Sequence, residues 1–371
     1  MPEDSSALRS QRTKRGRSLH DPNTTRSSAF RPARRTASRG LRLTPEAESA
    51  LAEAVPLLVR VSTERIRDEL VKILLIPPAV RSLRRMEVLG LLERILPEAA
   101  DLRGVLQGPP HRWDAYEHTI RVVAAMERLM GSEAEVPELR DLPARWSEAE
   151  KAMAPWLDRM RSRWDEEMVA GRPRRALLLL SALLHDIGKA RTQAVDPDGR
   201  IRFIGHEVVG AKMAASRMQE LRFSADEVEE VVVLVRHHMR PGELTRELTP
   251  RAIHRFLRDT GERGADVALL GLADTLGIWG SELAEEVWAA RLTTAQAIWH
   301  AIFEAPERFV RGTPLVRGDD LLAMGVPEGP QIGRLLAAIR EAQAAGEIAT
   351  REEALALARR LIEEMKGERN S

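Results

Sequence analysis

The reading of this chain turns on Ala176–Thr192, "ALLLLSALLHDIGKART". Eight apolar residues and one serine run from Ala176 to Leu184 and meet adjacent His185 and Asp186, then Gly188-Lys189. A run so apolar belongs in a core, yet it ends in an imidazole beside a carboxylate. Burying a polar group without a partner costs on the order of 2–7 kcal/mol, and a charge costs more. Hydrogen bonds or a shared metal ion must compensate. The rest of the sequence decides between them.

The 371 residues are 43% hydrophobic and 30% charged, enough to build a core, and the net charge is only +1. Such a balance gives no overall push toward nucleic acid or a membrane. With no cysteine, a disulfide framework and a thiolate metal site are both excluded. Any transition-metal site must use His and carboxylate. No apolar run approaches the ~20 residues of a membrane helix, and the N-terminus has no secretory core. A cytoplasmic protein with no membrane partner is expected.

The charge is unevenly placed. Residues 1–40 carry ten Arg/Lys against three acids and almost no large apolar side chains. A disordered basic tail follows, because so little apolar surface cannot offset the entropy of ordering. From Thr44-Pro45-Glu46, which reads as a helix start, the pattern is helical. "STERIRDELVKILL" places Ile66, Leu70, Ile73 and Leu74 on one face and stops at Pro77-Pro78. Val80, Leu83, Met86 and Leu89 mark a second helix before Gly90, and Leu91, Leu92 and Ile95 a third before Pro97. Alternating strand patterns are nearly absent apart from "TQAVDPDGRIRF", where Asp198-Gly199 predicts a hairpin turn. The expectation is an all-α protein with at most one small β-hairpin. Its blocks are the tail 1–40, a helical neck 41–108, a central domain 109–290 and a C-terminal helical module 291–371. Within the centre, a charged segment at about 131–172 reads as an inserted helix. Trp156, Met160 and Trp164 fall there at helical spacing, as a packing stripe.

Polar groups recur inside the apolar helices of the central block. His118 lies in "YEHTIRVVAAMERL", His206 opens "GHEVVGAKMAASRM", His237-His238 close "DEVEEVVVLVRHHM", and Asp274 interrupts "VALLGLADTLG". A lone histidine is usually an ordinary surface or core residue, and His20, His254 and His300 are read that way. The set of His118, His185, Asp186, His206, one of His237 or His238, and Asp274 is different, because helices this apolar otherwise tolerate no charge-capable group. Imidazole and carboxylate suit one or two divalent ions: Mn, Ni, Co, Fe, Zn or Mg. A bound ion lowers the pKa of water toward ~7 and polarises a phosphoryl oxygen. Asp186 is the candidate bridge, and Lys189 is placed to hold a phosphate oxygen.

The order His118, His185-Asp186, Asp274 resembles the H…HD…D pattern of the HD superfamily of metal-dependent phosphohydrolases. His206 and His237-His238 match positions that hold a second metal in some members. "STERIRDELVKILL", "PPHRWDAYEHT", "HDIGKA…GHEVVGA" and the tail "GDDLLAMGVPEGPQIGRLLAAIREAQAAGEIATREEAL" are similar to the neck, HD domain and tail of bacterial CCA-adding enzymes and poly(A) polymerases. The likeness runs from about Gly40 to Leu361. Those enzymes carry a β-rich nucleotidyltransferase head before the neck, and residues 1–40 hold nothing that encodes one. The resemblance therefore implies a phosphohydrolase or phosphodiesterase for a nucleotide or RNA-end phosphoester, with no nucleotide addition expected from this chain. It also implies an RNA-binding neck and tail with tRNA as partner. Arg65, Arg67, Arg81, Arg84 and Arg85 are the candidate contacts. The alternative it leaves open is a non-catalytic tRNA-binding subunit working with a separately encoded nucleotidyltransferase head.

Overall fold

The computed structural model describes residue 49 and residues 53–369, apart from 141, 142 and 311. The basic tail and the Thr44-Pro45-Glu46 helix start lie outside the described residues. The principal helices are α1 (Thr63–Leu74), α2 (Ala79–Val88), α3 (Leu91–Ile95), α4 (Ala115–Leu129), α5 (Pro143–Met153), α6 (Leu157–Asp165) and α7 (Arg174–Leu184). They continue as α8 (His206–Glu220), α9 (Ala225–His237), α10 (Pro250–Thr260), α11 (Gly264–Trp279), α12 (Glu285–Phe303), α13 (Pro330–Ala345) and α14 (Arg351–Arg369).

Helix α7 is the centre of the fold. Its leucines, from Leu177 to Leu184, are at most 2% exposed, so every face is buried, as its unbroken apolar run requires. Helices α1, α4, α9 and α11 all pack against it. Burying each leucine contributes about 1.5–3 kcal/mol before conformational entropy is subtracted. The one hydroxyl in the run is satisfied locally, with Ser181 Oγ donating to the Leu177 carbonyl at 2.8 Å. Helices α4, α11 and α12 form a second contiguous layer.

The neck helices join this same apolar cluster through Leu70, Ile73, Leu83 and Met86. Gly90, at φ +69°, permits the sharp turn between α2 and α3. A separate smaller cluster gathers Val316, Leu321, Leu335, Ile339 and Ala354 around α13 and α14, and α13 packs on α10.

The all-α class holds, with two differences in detail. The predicted hairpin forms as β3 (Ala194–Val195) against β4 (Ile201–Arg202), turning at Asp198-Gly199. A second antiparallel pair, β1 (Glu167–Val169) with β2 (Arg172–Pro173), exceeds the single hairpin expected. Gly171, at φ +73°, makes that reversal, and it delivers Arg172 Nε to Glu227 Oε1 at 2.6 Å. The inserted segment is also not one helix. It breaks between α5 and α6 at a short 3₁₀ turn holding Pro155, which has no N–H to continue the ladder. Its stripe packs as expected, with Trp156, Met160 and Trp164 buried. Trp164 Nε1 donates to Asp266 Oδ1 of α11 at 3.0 Å.

Neck and central domain are pinned at one buried carboxylate. Both oxygens of Glu127 in α4 accept from the Ala79 N–H that opens α2, at 3.1 and 2.9 Å. Burial pushes the Glu127 carboxyl up to about 7, against the lowering effect of the Ala79 N–H and of Arg175. The folded protein therefore holds a proton that the unfolded chain releases from about pH 4.5 upward, and stability falls as pH rises through that window. Glu127→Gln keeps an acceptor for Ala79 and cannot ionise. Its stability relative to the natural protein should rise by on the order of 2 kcal/mol between pH 5 and pH 8, measured by denaturant unfolding. A difference independent of pH would contradict the buried protonation.

Candidate metal centre

Five helix ends or faces deliver the candidate side chains to one point. His118 comes from the first turns of α4, and Asp274 from α11, which packs on α4. His185 and Asp186 follow the last turn of α7, His206 opens α8, and His238 follows α9. His118, His185, Asp186, His206 and His238 are buried, and Asp274 is mostly so.

Glycine allows these approaches. A Cβ on Gly188 would stand 2.0 Å from the His206 carbonyl oxygen and 2.7 Å from the Gly210 N. The turn after Asp186 therefore touches the backbone of α8, which brings His206 to the site. A Cβ on Gly277 would meet Val122 Cγ2 at 2.6 Å and His118 Cε1 at 3.3 Å. That contact lets α11 lie close enough for Asp274, one turn earlier, to reach His118.

Two groups of ligand-type atoms share Asp186. On the Oδ2 side, His118 Nε2 and His185 Nε2 lie 3.3 and 3.1 Å from that oxygen, and 3.2 Å from each other. Asp274 Oδ1 joins them, 3.1 Å from His118 Nε2 and 3.7 Å from His185 Nε2. On the Oδ1 side, His206 Nε2 and His238 Nε2 lie 3.3 and 3.7 Å away and 3.4 Å apart. Nitrogen and oxygen ligands about 2.1 Å from one ion stand roughly 3.0–3.4 Å from one another.

The hydrogen bonds behind the rings set which nitrogen faces inward. Nδ1 of His185, His206 and His238 lies 2.8, 2.8 and 2.7 Å from the carbonyls of Ala182, Phe203 and Val235. A carbonyl only accepts, so Nδ1 carries the proton and the Nε2 lone pair points to the centre. This is the arrangement that orients metal-binding imidazoles. With His206 neutral, its Nε2, His238 Nε2 and Asp186 Oδ1 are three acceptors with no donor between them. Neither Asp186 oxygen nor His118 Nδ1 has a hydrogen bond of sound geometry. The donor set and its spacing fit a divalent cation on each side.

The charges pull two ways: burial would lower His118 and His206, but contacts from Asp186, and for His118 also from Asp274, raise both, so protons compete with a cation for these nitrogens. Burial alone would raise the Asp186 carboxyl, but attraction to His185 and Lys189 and contacts from His118 hold it well below the carboxylate range. Asp274 is likewise held down against burial by His118 and His185. Burial and the neighbouring His185 and His206 push His238 down to about 3, so it stays neutral. A metal ligand must be unprotonated at its binding nitrogen.

Other sequence-derived candidates fall differently. His237 lies outside both groups. Burial and nearby Arg240 depress its pKa, and the structure brings in His238 instead. Lys189 lines the cavity, but its Nζ is 2.6 Å from Asp186 Oδ2 and donates to Gln107 Oε1 at 2.6 Å. It braces the central carboxylate and is not a free cation. In the neck, Arg67 pairs with Asp68, and Arg84 with Glu117 and Glu138. Arg85 is half-buried and already has a partner, whereas Arg65 and Arg81 are exposed. Sequence reasoning missed His111 and Gln107. The His111 ring meets the His118 ring edge-on at 5.5 Å, and its position just before the His118 helix was the available signal.

The centre opens on a cavity of about 580 Å³, within the range of small-ligand pockets. Asp186, Lys189, His206, His238 and Asp274 line it, together with Phe203, Ile278 and Trp279.

Comparison with known proteins is consistent with this geometry. Residues 40–102 match the model described as "Probable RNA and SrmB- binding site of polymerase A", and residues 115–276 match the HD domain. The A-adding tRNA nucleotidyltransferase of Deinococcus radiodurans is 30% identical over 346 residues, covering 91% of this chain and 69% of that protein. The chain belongs to the tRNA nucleotidyltransferase family. The CC-adding tRNA nucleotidyltransferase of Thermus thermophilus is 35% identical over 306 residues, covering 82% of this chain and 57% of that enzyme. Against these two family members the chain thus spans 69% and 57% of the relative's length. A bifunctional uridylyltransferase/uridylyl-removing enzyme of Cereibacter sphaeroides is 23% identical over 230 residues, or 58% of this chain and 21% of that one. Among the described residues, no helix is long and apolar enough to cross a membrane.

The glycine approach to α8 is directly testable. Gly188→Ala should lower stability by about 2 kcal/mol or more, as overpacking against backbone does, and weaken divalent-metal uptake. Urea unfolding and calorimetric metal titration measure both. A variant as stable as the natural protein would contradict the contact.

Proposed function

We propose that this chain is a divalent-metal phosphohydrolase that cleaves a phosphomonoester or phosphodiester at a nucleotide or RNA end. The observation that carries the reading is the pair of ligand groups sharing Asp186, opening on a nucleotide-sized cavity. His118, His185, Asp186 and Asp274 would hold one ion, and Asp186, His206 and His238 a second. Bound ions supply Lewis acidity toward a phosphoryl oxygen and lower the pKa of water.

The chain's own groups do the rest. Lys189, itself donating to Gln107 Oε1, braces the Asp186 carboxylate. The backbone carbonyls behind His185, His206 and His238 fix the ring orientations. Phe203, Ile278 and Trp279 in the cavity lining supply apolar and aromatic surface for a base. The name of the Cereibacter relative, which pairs uridylyl transfer with uridylyl removal, supports phosphodiester hydrolysis as the reaction class. An RNA end carrying a 2′,3′-cyclic or 2′-phosphate is the substrate we favour, because the matched RNA-binding region spans residues 40–102.

A second reading has its own support. The same RNA-binding match and the names of the nucleotidyltransferase relatives favour a tRNA-docking role beside a separately encoded nucleotidyltransferase head. Arg65 and Arg81 would be its phosphate contacts.

Protein loaded with Mn, Ni or Co should turn over members of a phosphoester panel that includes 2′,3′-cyclic and 2′-phosphate RNA ends. Asp186→Ala should remove turnover by at least a hundredfold and keep the helical circular dichroism. No turnover with any of these metals, together with salt-dependent tRNA binding that weakens in Arg65→Ala/Arg81→Ala, would replace the hydrolase reading with the docking one.

A further inference from the structure

The cavity lining includes two arginines that the site as described does not use. Arg291, on α12, and Arg246, just beyond the one-turn helix Arg240–Leu244, both line the cavity. Among the described residues neither guanidinium has an ion pair or a hydrogen bond. This sets Arg291 apart from other partly or mostly buried arginines of the fold. Arg163 pairs with Asp266, Arg172 with Glu227, Arg174 with Glu230 and Arg217 with Glu98. Glu243 also lines the cavity and is exposed, yet it pairs with neither arginine.

The fold makes room for this unpaired charge. A Cβ on Gly242 would stand 2.2 Å from Arg291 Nη1, so the guanidinium lies directly over that glycine. The one-turn helix is held in turn by the close packing of Pro241 on Gly271 of α11, where an added Cβ would meet Pro241 Cβ at 3.2 Å. Burial, and then the charge of Arg246, depress Arg291 below the ordinary arginine value, with Asp274 opposing. Two like charges are thus brought together at the edge of a cavity, and among the described residues neither is in an ion pair, Asp274 attracting Arg291 without contact. An anionic ligand removes that cost, and arginine forks match phosphate oxygens with two parallel hydrogen bonds.

We infer that Arg291 and Arg246 form an anion subsite for a second phosphate of the bound molecule, set apart from the phosphate presented to the His/Asp centre. The inference rests on the phosphohydrolase reading for its biological substrate. It restricts that substrate to molecules with at least two phosphates, either an RNA end that keeps its neighbouring phosphodiester or a nucleoside polyphosphate. A mononucleoside monophosphate would leave the arginines unpaired.

Pyrophosphate binding to metal-stripped protein, followed by calorimetry at low salt, tests the subsite without any turnover. The natural protein should bind, with affinity falling as salt rises. Arg291→Ala and Gly242→Ala should each weaken binding about tenfold or more, with Arg291→Lys intermediate. Gly242→Ala keeps every charge and only displaces the guanidinium, so its loss, with an unchanged melting curve, separates the subsite from general destabilisation. No pyrophosphate binding by the natural protein, or equal binding by both variants, would overturn the inference.

Three competitors identify the source of the phosphate. These are a dinucleotide ending in a 2′,3′-cyclic phosphate, a nucleoside diphosphate, and a mononucleoside 2′,3′-cyclic phosphate as control. Arg291 dependence of the dinucleotide points to RNA, and of the diphosphate to a nucleotide. Equal dependence of the control overturns the subsite. Arg291-dependent pyrophosphate binding without phosphoester turnover would remove the hydrolase reading and keep the subsite, and the converse result would do the reverse.

Discussion

One carboxylate organises this molecule. Asp186 is 1% exposed, offers one oxygen to each of two groups of imidazole nitrogens, and is braced by a buried lysine. A charge so deep is tolerable only with several partners of opposite sign, and those partners arrive on four further helix ends and faces. The packing of α4, α9 and α11 on α7, and of α8 against the turn after it, is therefore also the assembly of the site. The apolar run before His185 is the rigid post from which the carboxylate projects, and a site held on rigid elements keeps its geometry.

The same economy of contact appears in the small residues. Gly188 and Gly277 carry no chemistry, yet each marks a place where a Cβ would push apart two site-bearing elements. Gly242 leaves room for the Arg291 guanidinium in the same cavity. The cavity is thus lined both by Lewis-basic ligands and by two arginines outside ion pairs. In the proposed reading, that combination suits a polyanionic phosphoester.

Much of this was legible in the sequence, for a definite reason. His118, His185-Asp186 and Asp274 interrupt helices too apolar to carry them idly, so their convergence could be expected before any tertiary contact was known. The all-α class followed from helical periodicity, and the β3–β4 hairpin from Asp198-Gly199. What stayed hidden depends on direction and distance. His237 and His238 are neighbours at the end of α9, and only the turn that sets His238 Nδ1 on the Val235 carbonyl selects one of them. Lys189 reads as a free phosphate ligand until the close of the turn places it on Asp186. Arg67, Arg84 and Arg85 look like open contacts in a charged neck, whereas the fold engages them within the protein. The β1–β2 hairpin rests on one glycine and two very short strands, too little pattern to stand out from the flanking helices.

The central claim is that Asp186 joins two cations, and manganese resonance tests it most directly. Protein titrated with Mn(II) should take up two ions per chain and show the multiline spectrum of an exchange-coupled pair, which Asp186→Asn abolishes. A simple six-line spectrum of isolated ions at saturation, or no uptake above one ion per chain, would contradict the shared carboxylate.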